Sequence, residues 1–352
     1  MTNTQAGTTN GKPSLARLKE LEVRLYRLTT KSHLAIGSGE AAELSPVDKP
    51  IIRALIIGEE ERVPYLPASS LHGVIRAWVE KALRSLHKPL DDLTSKFEAF
   101  YSQPGDAAAW LQQKVCADLD LSKGFTKDDF IEEAKSHWEL WAQVCNPFWE
   151  HDKCEYLVDD APGRPNPKRL WFEHIGRRVP CEACCLFGHP SQRGRVRFTH
   201  GFPPPAGTPL DVITRVAINR YTGAADPGKL FDLEAVPPGV PFHFFVTLEN
   251  LSDDEKKRFD YGIKSLNLNL ATLGANSTVG FGLVQLKEKR RLLLKPEIFT
   301  LESIPDLDEN SYPWPSDYDH RRFPQFFNFL AGLTPNGALP PSVTNGMLEV
   351  KK

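Results

Sequence analysis

The chain has 352 residues, enough to bury a sizeable core in two domains or in one heavily decorated domain. Hydrophobic residues at 41% and charged residues at 25% are ordinary for a globular protein, and no run of eighteen apolar residues exists to cross a membrane. A net charge of −2 gives no overall attraction for nucleic acid, so any such binding must rest on local basic clusters.

Residues 1–20 read as a disordered N-terminus, since the Thr-, Asn- and Gly-rich start lacks the apolar stretch of an export signal. A first strand is predicted over Leu21 to Thr30, where Leu21, Val23 and Leu25 alternate with Glu22, Arg24 and Tyr26. A first helix follows at Ser70 to Leu86, with Leu71, Val74, Ile75, Trp78, Val79, Ala82 and Leu83 on one face. Ser69 or Ser70 can cap its start, just after Pro67. Arg193 to His200 makes a second strand, with Val196 and Phe198 on one side and Arg195 and Arg197, beside Arg193, forming a basic strip on the other. In a third strand Val240, Phe242, Phe244, Val246 and Leu248 alternate without a break. The second helix, Ser252 to Leu268, opens on a capping box, Ser252-Asp253-Asp254-Glu255, and a last strand spans Phe281 to Lys287. Strand, helix, strand, strand, helix, strand is the order of the ferredoxin-like α+β class, shared by RNA-recognition domains.

This core falls in two parts, 21–86 and 181–295. The insertion 87–180 reads as helical first, with Phe130, Ala134, Trp138 and Trp141 along a helix starting near Lys127. It then turns loop-rich, with Pro162, Gly163, Pro165 and Pro167. Residues 203–239 form a Gly/Pro-bounded excursion between two core strands, and 296–352 read as an extended arm laid on a neighbour.

Six cysteines without an export signal predict thiols or metal ligands in a reducing, cytoplasmic compartment. His151 and Cys154, like Cys181 and Cys184, are separated by two residues, the spacing that lets both side chains reach one tetrahedral ion. Cys145 is a substitute fourth ligand, and Cys185 is expected to point away. Four protein ligands close the coordination sphere, so the zinc expected here is structural. Buried free thiols or a redox pair are the plainer alternatives.

Near the C-terminal end, Gly274, Gly280 and Gly282 crowd one loop. Glycines at that density let backbone N–H groups approach a ligand, and successive free N–H groups suit phosphate. This loop, with the segments Tyr65–Arg76 and Cys184–Gly188 in this order, resembles the RAMP superfamily of CRISPR proteins, the RNA-binding backbone subunits of type III effector complexes. The resemblance covers roughly residues 21–84 and 181–287. It implies a ferredoxin-like, RRM-like βαββαβ palm with a β-hairpin thumb in 203–239. It also implies a zinc-binding Cys-x-x-Cys before Leu186-Phe187-Gly188. The partners implied are guide RNA, target RNA, other type III backbone subunits and the large signature subunit, with no membrane.

The resemblance also assigns roles. Asp48, after the first strand and before an apolar run, matches an aspartate needed for target RNA cleavage, with Mg²⁺ as a helper and His33 and His72 in flanking elements. Guide RNA is expected at the start of the first helix, where Ser69, Ser70 and Gly73 stand beside Arg76, and at the glycine loop. In the thumb, Ile218, Tyr221 and Leu230 are the expected base wedges, with Arg215 and Arg220 on the phosphates. The competing expectations are a non-catalytic scaffold or capping subunit, in which Asp48 is incidental, and a free-standing endonuclease that processes guide RNA.

Overall fold

The computed structural model of the chain describes residues 18–37, 47–55, 62–86, 92–105, 166–177, 179–204 and 208–294. It also describes the pair 348–349 and the single positions 109, 128, 131, 132, 135, 144, 145, 153 and 154. The expectations for residues 1–17, for Phe130, Ala134, Trp138, Trp141 and His151, for the 162–165 loop and for most of the 296–352 arm lie outside the described residues. In chain order the elements are β1 (Leu21–Thr30), β2 (Arg53–Leu55), β3 (Arg62–Pro64), α1 (Ala68–Ser85), α2 (Leu93–Tyr101), α3 (Pro167–His174) and α4 (Glu182–Phe187). They continue with β4 (Val196–Phe198), β5 (Asp211–Ile218), β6 (Ala225–Ala235), β7 (Pro241–Glu249), α5 (Asp253–Asn267), β8 (Val284–Leu294) and β9 (Leu348–Glu349). No described helix is long and apolar enough to cross a membrane.

The architecture is mixed α/β, built on an antiparallel sheet of order β4-β7-β1-β8-β9. Tyr26, Leu28, Phe242, Phe244, Val246 and Leu248 point from the sheet into one core cluster with Leu71, Ile75, Val79 and Leu83 of α1 and Phe259, Ile263 and Leu266 of α5. The opposite alternation, Val23, Leu25 and Phe245, is buried as well, so the central strands are apolar on both faces. The helices cross closely because Gly262 has no side chain: an added Cβ would lie 2.7 Å from Ile75 Cγ2 and 3.1 Å from Val79 Cγ2.

Several elements differ from the local pattern. Helix α1 starts at Ala68 with Pro67 in the cap position and no side-chain cap, so Ser69 and Ser70 lie inside its first turn. Pro167 opens α3 instead of lying in a loop, a position where its missing N–H costs nothing. The predicted strand around Arg193–His200 shrinks to three residues, and β8 extends to Leu294. The end of the arm pairs with the chain's own β8, Leu348 opposite Leu294. By contrast β1 has the expected bounds, and α5 carries the expected capping box on Ser252 and Glu255.

Glu22 and Arg24, which alternate with the apolar residues of β1, are not a solvent face. They are 4% and 1% exposed. Arg24 is held by Glu22 (2.6 Å), by Asp260 of α5 and by Tyr26, and its guanidinium lies over the Phe259 ring. Lys256 (3.2 Å) and Arg291 (3.4 Å) pair with Glu22 as well. Burial alone would raise the Glu22 carboxyl, but the charge and hydrogen bond of Arg24, with Arg291 and Lys256, hold it below the usual range.

One end of the sheet gathers the segments with chemical interest. Thr29 pairs with Pro241 and Thr30 with Val284, so β1 ends where β7 and β8 begin. Helix α1 starts at that same end: Leu66 bridges Gly201 just beyond β4, and the Ala68 amide donates to His200 Nδ1 at 3.0 Å. The hairpin β5–β6 leaves from there as a separate two-stranded ribbon.

Candidate metal centre and hairpin root

Cys145, Cys154, Cys181 and Cys184 are all buried, with their sulfurs within 4.8 Å of one another. Cys145 Sγ and Cys184 Sγ are 3.7 Å apart, and all four thiols are free. A tetrahedral zinc with bonds of about 2.3 Å needs sulfurs about 3.8 Å apart, so the donor set fits that ion. Among the described residues the fourth donor is therefore Cys145, in the place that sequence spacing gave to His151. Cys185 turns away and donates to the Pro180 carbonyl at 3.4 Å. The sulfurs compete for protons: hydrogen bonding from Cys154, Cys181 and Cys184 pushes Cys145 far down, while Cys154, left holding a proton, is pushed up. Four thiolates in this space require a cation between them.

The protein also supplies positive groups around the sulfurs. The Cys181 amide points at Cys154 Sγ (3.2 Å), and Arg76 Nη2 is 3.5 Å from Cys184 Sγ. Arg76 further donates to the Gly188 carbonyl (2.8 Å) and to Glu80 (2.7 Å), which ties α1 to the cysteine knuckle. Its guanidinium is thus engaged inside the protein. His72, one turn earlier, is in similar surroundings: its Nε2 lies 3.1 Å from the Phe187 carbonyl, and its ring meets Phe187 and Phe198 edge-on. Burial holds His72 below the usual imidazole range, against the opposing pull of the Phe187 carbonyl.

The second cluster is the root of the β5–β6 hairpin. Its tip, Asn219 to Ala224, is closed by an Asx turn in which Asn219 Oδ1 accepts from the amides of Tyr221 (2.9 Å) and Thr222 (3.2 Å). Tyr221 is 100% exposed, and Val212, Ile218 and Leu230 are exposed too. Exposed apolar side chains so placed do not stabilise a lone hairpin, which is marginal without a core of its own. The root supplies one: Leu233, Ala235 and Ile213 pack on Phe281 and Ala35, and the Arg215 guanidinium lies 4.6 Å over the Phe281 ring. Arg220, at the tip, is exposed.

Asp48 sits at this root. It is exposed, and its Oδ2 accepts from the Asp232 amide of β6 at 2.8 Å. The adjacent Lys49 forms a parallel bridge to Leu233 and sits 4.4 Å over the Phe231 ring. Glu234 then accepts from the Ile51 amide (3.1 Å) and from Arg53 (2.7 Å). His33 pairs with Asp211 at the first residue of β5 (2.9 Å) instead of with Asp48. Asp211, Asp232, Glu234 and Phe281 are the root residues that sequence reasoning missed, because nothing local links them to residues 33–51. Apart from the four cysteines, no group of three or more metal-ligating side chains occurs among the described residues. A Mg²⁺ at Asp48 would therefore take its other ligands from water and phosphate, as Mg²⁺ commonly does.

The glycine loop differs in detail from expectation. The amides of Leu273, Ala275, Val279, Gly280, Phe281 and Gly282 all donate to backbone carbonyls, Gly282 to His33 at 2.8 Å and Ala275 to Ala35 at 2.8 Å. Gly274 and Gly282 have positive φ, and an added Cβ would press on the Ala35 and Leu273 carbonyls. They seat the loop on the root. Among the described residues of this loop, the amides of Gly274, Asn276, Ser277 and Thr278 have no backbone acceptor, and Ser277 and Thr278 lie on an exposed 3-10 turn capped by Asn276. Gly282→Ala should cost more than about 2 kcal/mol in chemical denaturation, from strain at positive φ plus the clash, whereas the open Gly280 should cost less. At the start of α1, Ser69 is exposed and Gly73 borders open space.

The arginines of the expected basic strip are internally paired. Arg195 is 1% exposed, bonded to Glu255 and to the Cys185 and Asn250 carbonyls (both 2.9 Å), and Arg193 and Arg197 share Glu249.

The chain is a mixed α/β protein with a two-helix, antiparallel-sheet core, a projecting hairpin and, among the described residues, four buried cysteines placed to hold one metal ion. The sequence profile of the RAMP superfamily matches residues 27–285, and the chain belongs to that superfamily. No curated protein sequence matches it. Among solved structures, a chain in the cryo-EM structure of the Type III-B Cmr-beta bound to cognate target RNA is similar at 18% identity and a TM-score of 0.38. That alignment covers 79% of this chain and 61% of that one.

Proposed function

We propose that the chain is a guide-RNA-binding backbone subunit of a type III CRISPR ribonucleoprotein, and that it cuts bound target RNA at Asp48. Membership of the RAMP superfamily supports the first part. The strand order supports reading the sheet and helices as a ferredoxin-like palm and β5–β6 as its thumb. The observation that carries the proposal is a hairpin whose tip residue Tyr221 is wholly exposed while its root is fastened beside an exposed carboxylate. Apolar groups on a stiff ribbon, with Arg215 and Arg220 along it, suit wedging between bases and holding the phosphates on either side. The free amides of Asn276 to Thr278 suit a further phosphate.

In the cleavage step the 2′-oxygen attacks the adjacent phosphorus in line. The P–O2′ bond forms, the P–O5′ bond breaks with a solvent water giving its proton to the departing O5′, and a cyclic phosphate and a 5′-hydroxyl result. Asp48 Oδ2 is occupied by the Asp232 amide, which leaves Oδ1 to take the 2′-hydroxyl proton. Where Asp48 instead holds a hydrated Mg²⁺, the ion would supply charge neutralisation at the phosphate. The zinc on Cys145, Cys154, Cys181 and Cys184 would be structural.

The Asp48–Asp232 hydrogen bond also favours a second reading, in which Asp48 only fastens the thumb of a non-catalytic scaffold. Asp48→Asn keeps a side-chain acceptor for the amide and removes the charge, while Asp48→Ala removes both. In complexes assembled with guide RNA, both variants should lower the rate of one target cut by at least about a hundredfold with target binding retained. An unchanged fragment pattern in Asp48→Asn would establish the scaffold reading.

A further inference from the structure

Beyond the Gly262 crossing, the C-terminal half of α1 and the N-terminal half of α5 enclose a cavity of about 760 Å³, open to solvent. Its lining includes four cations, Lys81, Arg84, Lys257 and Arg258, and two rings, Trp78 and Tyr261, but no carboxylate. Lys257 and Arg258 are each shared with one acidic group outside the cavity, Asp254 at 3.1 Å and Glu182 at 2.6 Å. Lys81 lies 4.3 Å over the Trp78 ring. Tyr261 is 41% exposed, so its ring is open to solvent in the groove. At 18 residues, α1 is about 27 Å long, so this groove and the thumb root lie near opposite ends of that helix.

We infer that this groove is a second, sequence-independent site for single-stranded RNA, separate from the palm and thumb. Positive charge along a channel with planar rings set into it is the combination that holds single strands: phosphates track the cations and a base stacks on the ring. An acidic polypeptide would use the same cations but would gain little from the two rings. The volume takes one or two nucleotides, by the usual size of ligand sites of roughly 300–1,000 Å³. The inference rests on the RNA-binding reading only for the choice of polynucleotide. The groove would hold RNA that leaves the guide–target duplex, since the thumb engages the duplex itself.

The test uses the full-length chain and a 4-thiouridine-substituted oligouridylate, photo-crosslinked and mapped by mass spectrometry. Crosslinks are expected both on peptides carrying Trp78 or Tyr261 and on the thumb peptide carrying Tyr221. Lys81→Glu with Lys257→Glu, both exposed positions, should cut groove crosslinking about tenfold or more and flatten its salt dependence, leaving the Tyr221 crosslink intact. Trp78→Leu should weaken the groove crosslink by a similar factor through lost stacking. Crosslinks at Tyr221 with none in the groove would overturn this inference and leave the proposed function standing. Crosslinks at neither would sink both. Binding of a polyglutamate peptide in the groove, without oligouridylate, would assign it to an acidic protein partner and overturn the RNA site.

Discussion

Cys181→Ser is expected to abolish metal binding and to unfold the junction between the insertion and the palm. Elemental analysis of the purified chain should give about one zinc per molecule, falling to near zero in the variant. The magnitude follows from where the sulfurs sit. Cys145 and Cys154 come from the insertion and Cys181 and Cys184 from the start of α4, and all four belong to the palm's own core cluster. Losing the ion therefore strands buried thiols that cannot all ionise and removes the tie between distant segments. Structural zinc in small domains is worth about 10–16 kcal/mol at neutral pH, and a site embedded in a larger core should lose several kcal/mol of that on removal. Cys145→Ser should behave like Cys181→Ser. Cys185→Ser should keep its zinc, because that thiol is turned to the Pro180 carbonyl. Retention of zinc by Cys181→Ser, or its loss from Cys185→Ser, would contradict the assignment.

Much of the sheet-and-helix core was readable because its elements are decided locally. The bounds of β1 and the capping box of α5 follow from alternation and from two hydrogen bonds three residues apart. What failed was decided by partners far along the chain. Arg195 looks like a solvent-facing residue on a short strand, but Glu255, sixty residues on, draws it inside and serves the helix cap at the same time. Glu22 and Arg24 look like an outer face, yet Asp260 and Lys256 of α5 make burial affordable. The metal site was half legible: Cys-x-x-Cys announced a knuckle, but spacing could not choose between His151 and Cys145 because either could reach the ion. The tip of the β5–β6 hairpin was visible in Asn219 to Gly223, whereas its root depends on contacts between residues 33–51, 211–235 and 281, which no local period encodes. The groove residues carried a faint signal, Trp78 with Lys81 and Lys257 with Tyr261 at helical spacing, of the sort that usually marks only a solvated face.

Replacing Arg24 by Met should destabilise the chain by about 3 kcal/mol, because it strands the buried Glu22 carboxylate and frees Asp260 and Glu288 of their shared partner. Lys256 and Arg291 remain on Glu22, which keeps the loss at the lower end for a broken buried pair. The pH dependence gives a sharper test. Glu22 is held below its ordinary value in the folded protein, so its contribution is complete above about pH 4.5 and is lost as pH falls through the folded value. In Glu22→Gln this acid-labile part should vanish, and the difference in unfolding free energy between wild type and variant should shrink as pH falls below about 4.5. In Arg24→Met, burial is left to act on Glu22 against fewer cations. Its carboxyl then rises toward the unfolded value, so the stability lost on acidification below about pH 4.5 should be smaller than in wild type. Combining Glu22→Gln with Arg24→Met should recover part of the single-variant loss, since the stranded charge is gone. Strict additivity of the two substitutions in urea denaturation would mean that the pair is not coupled.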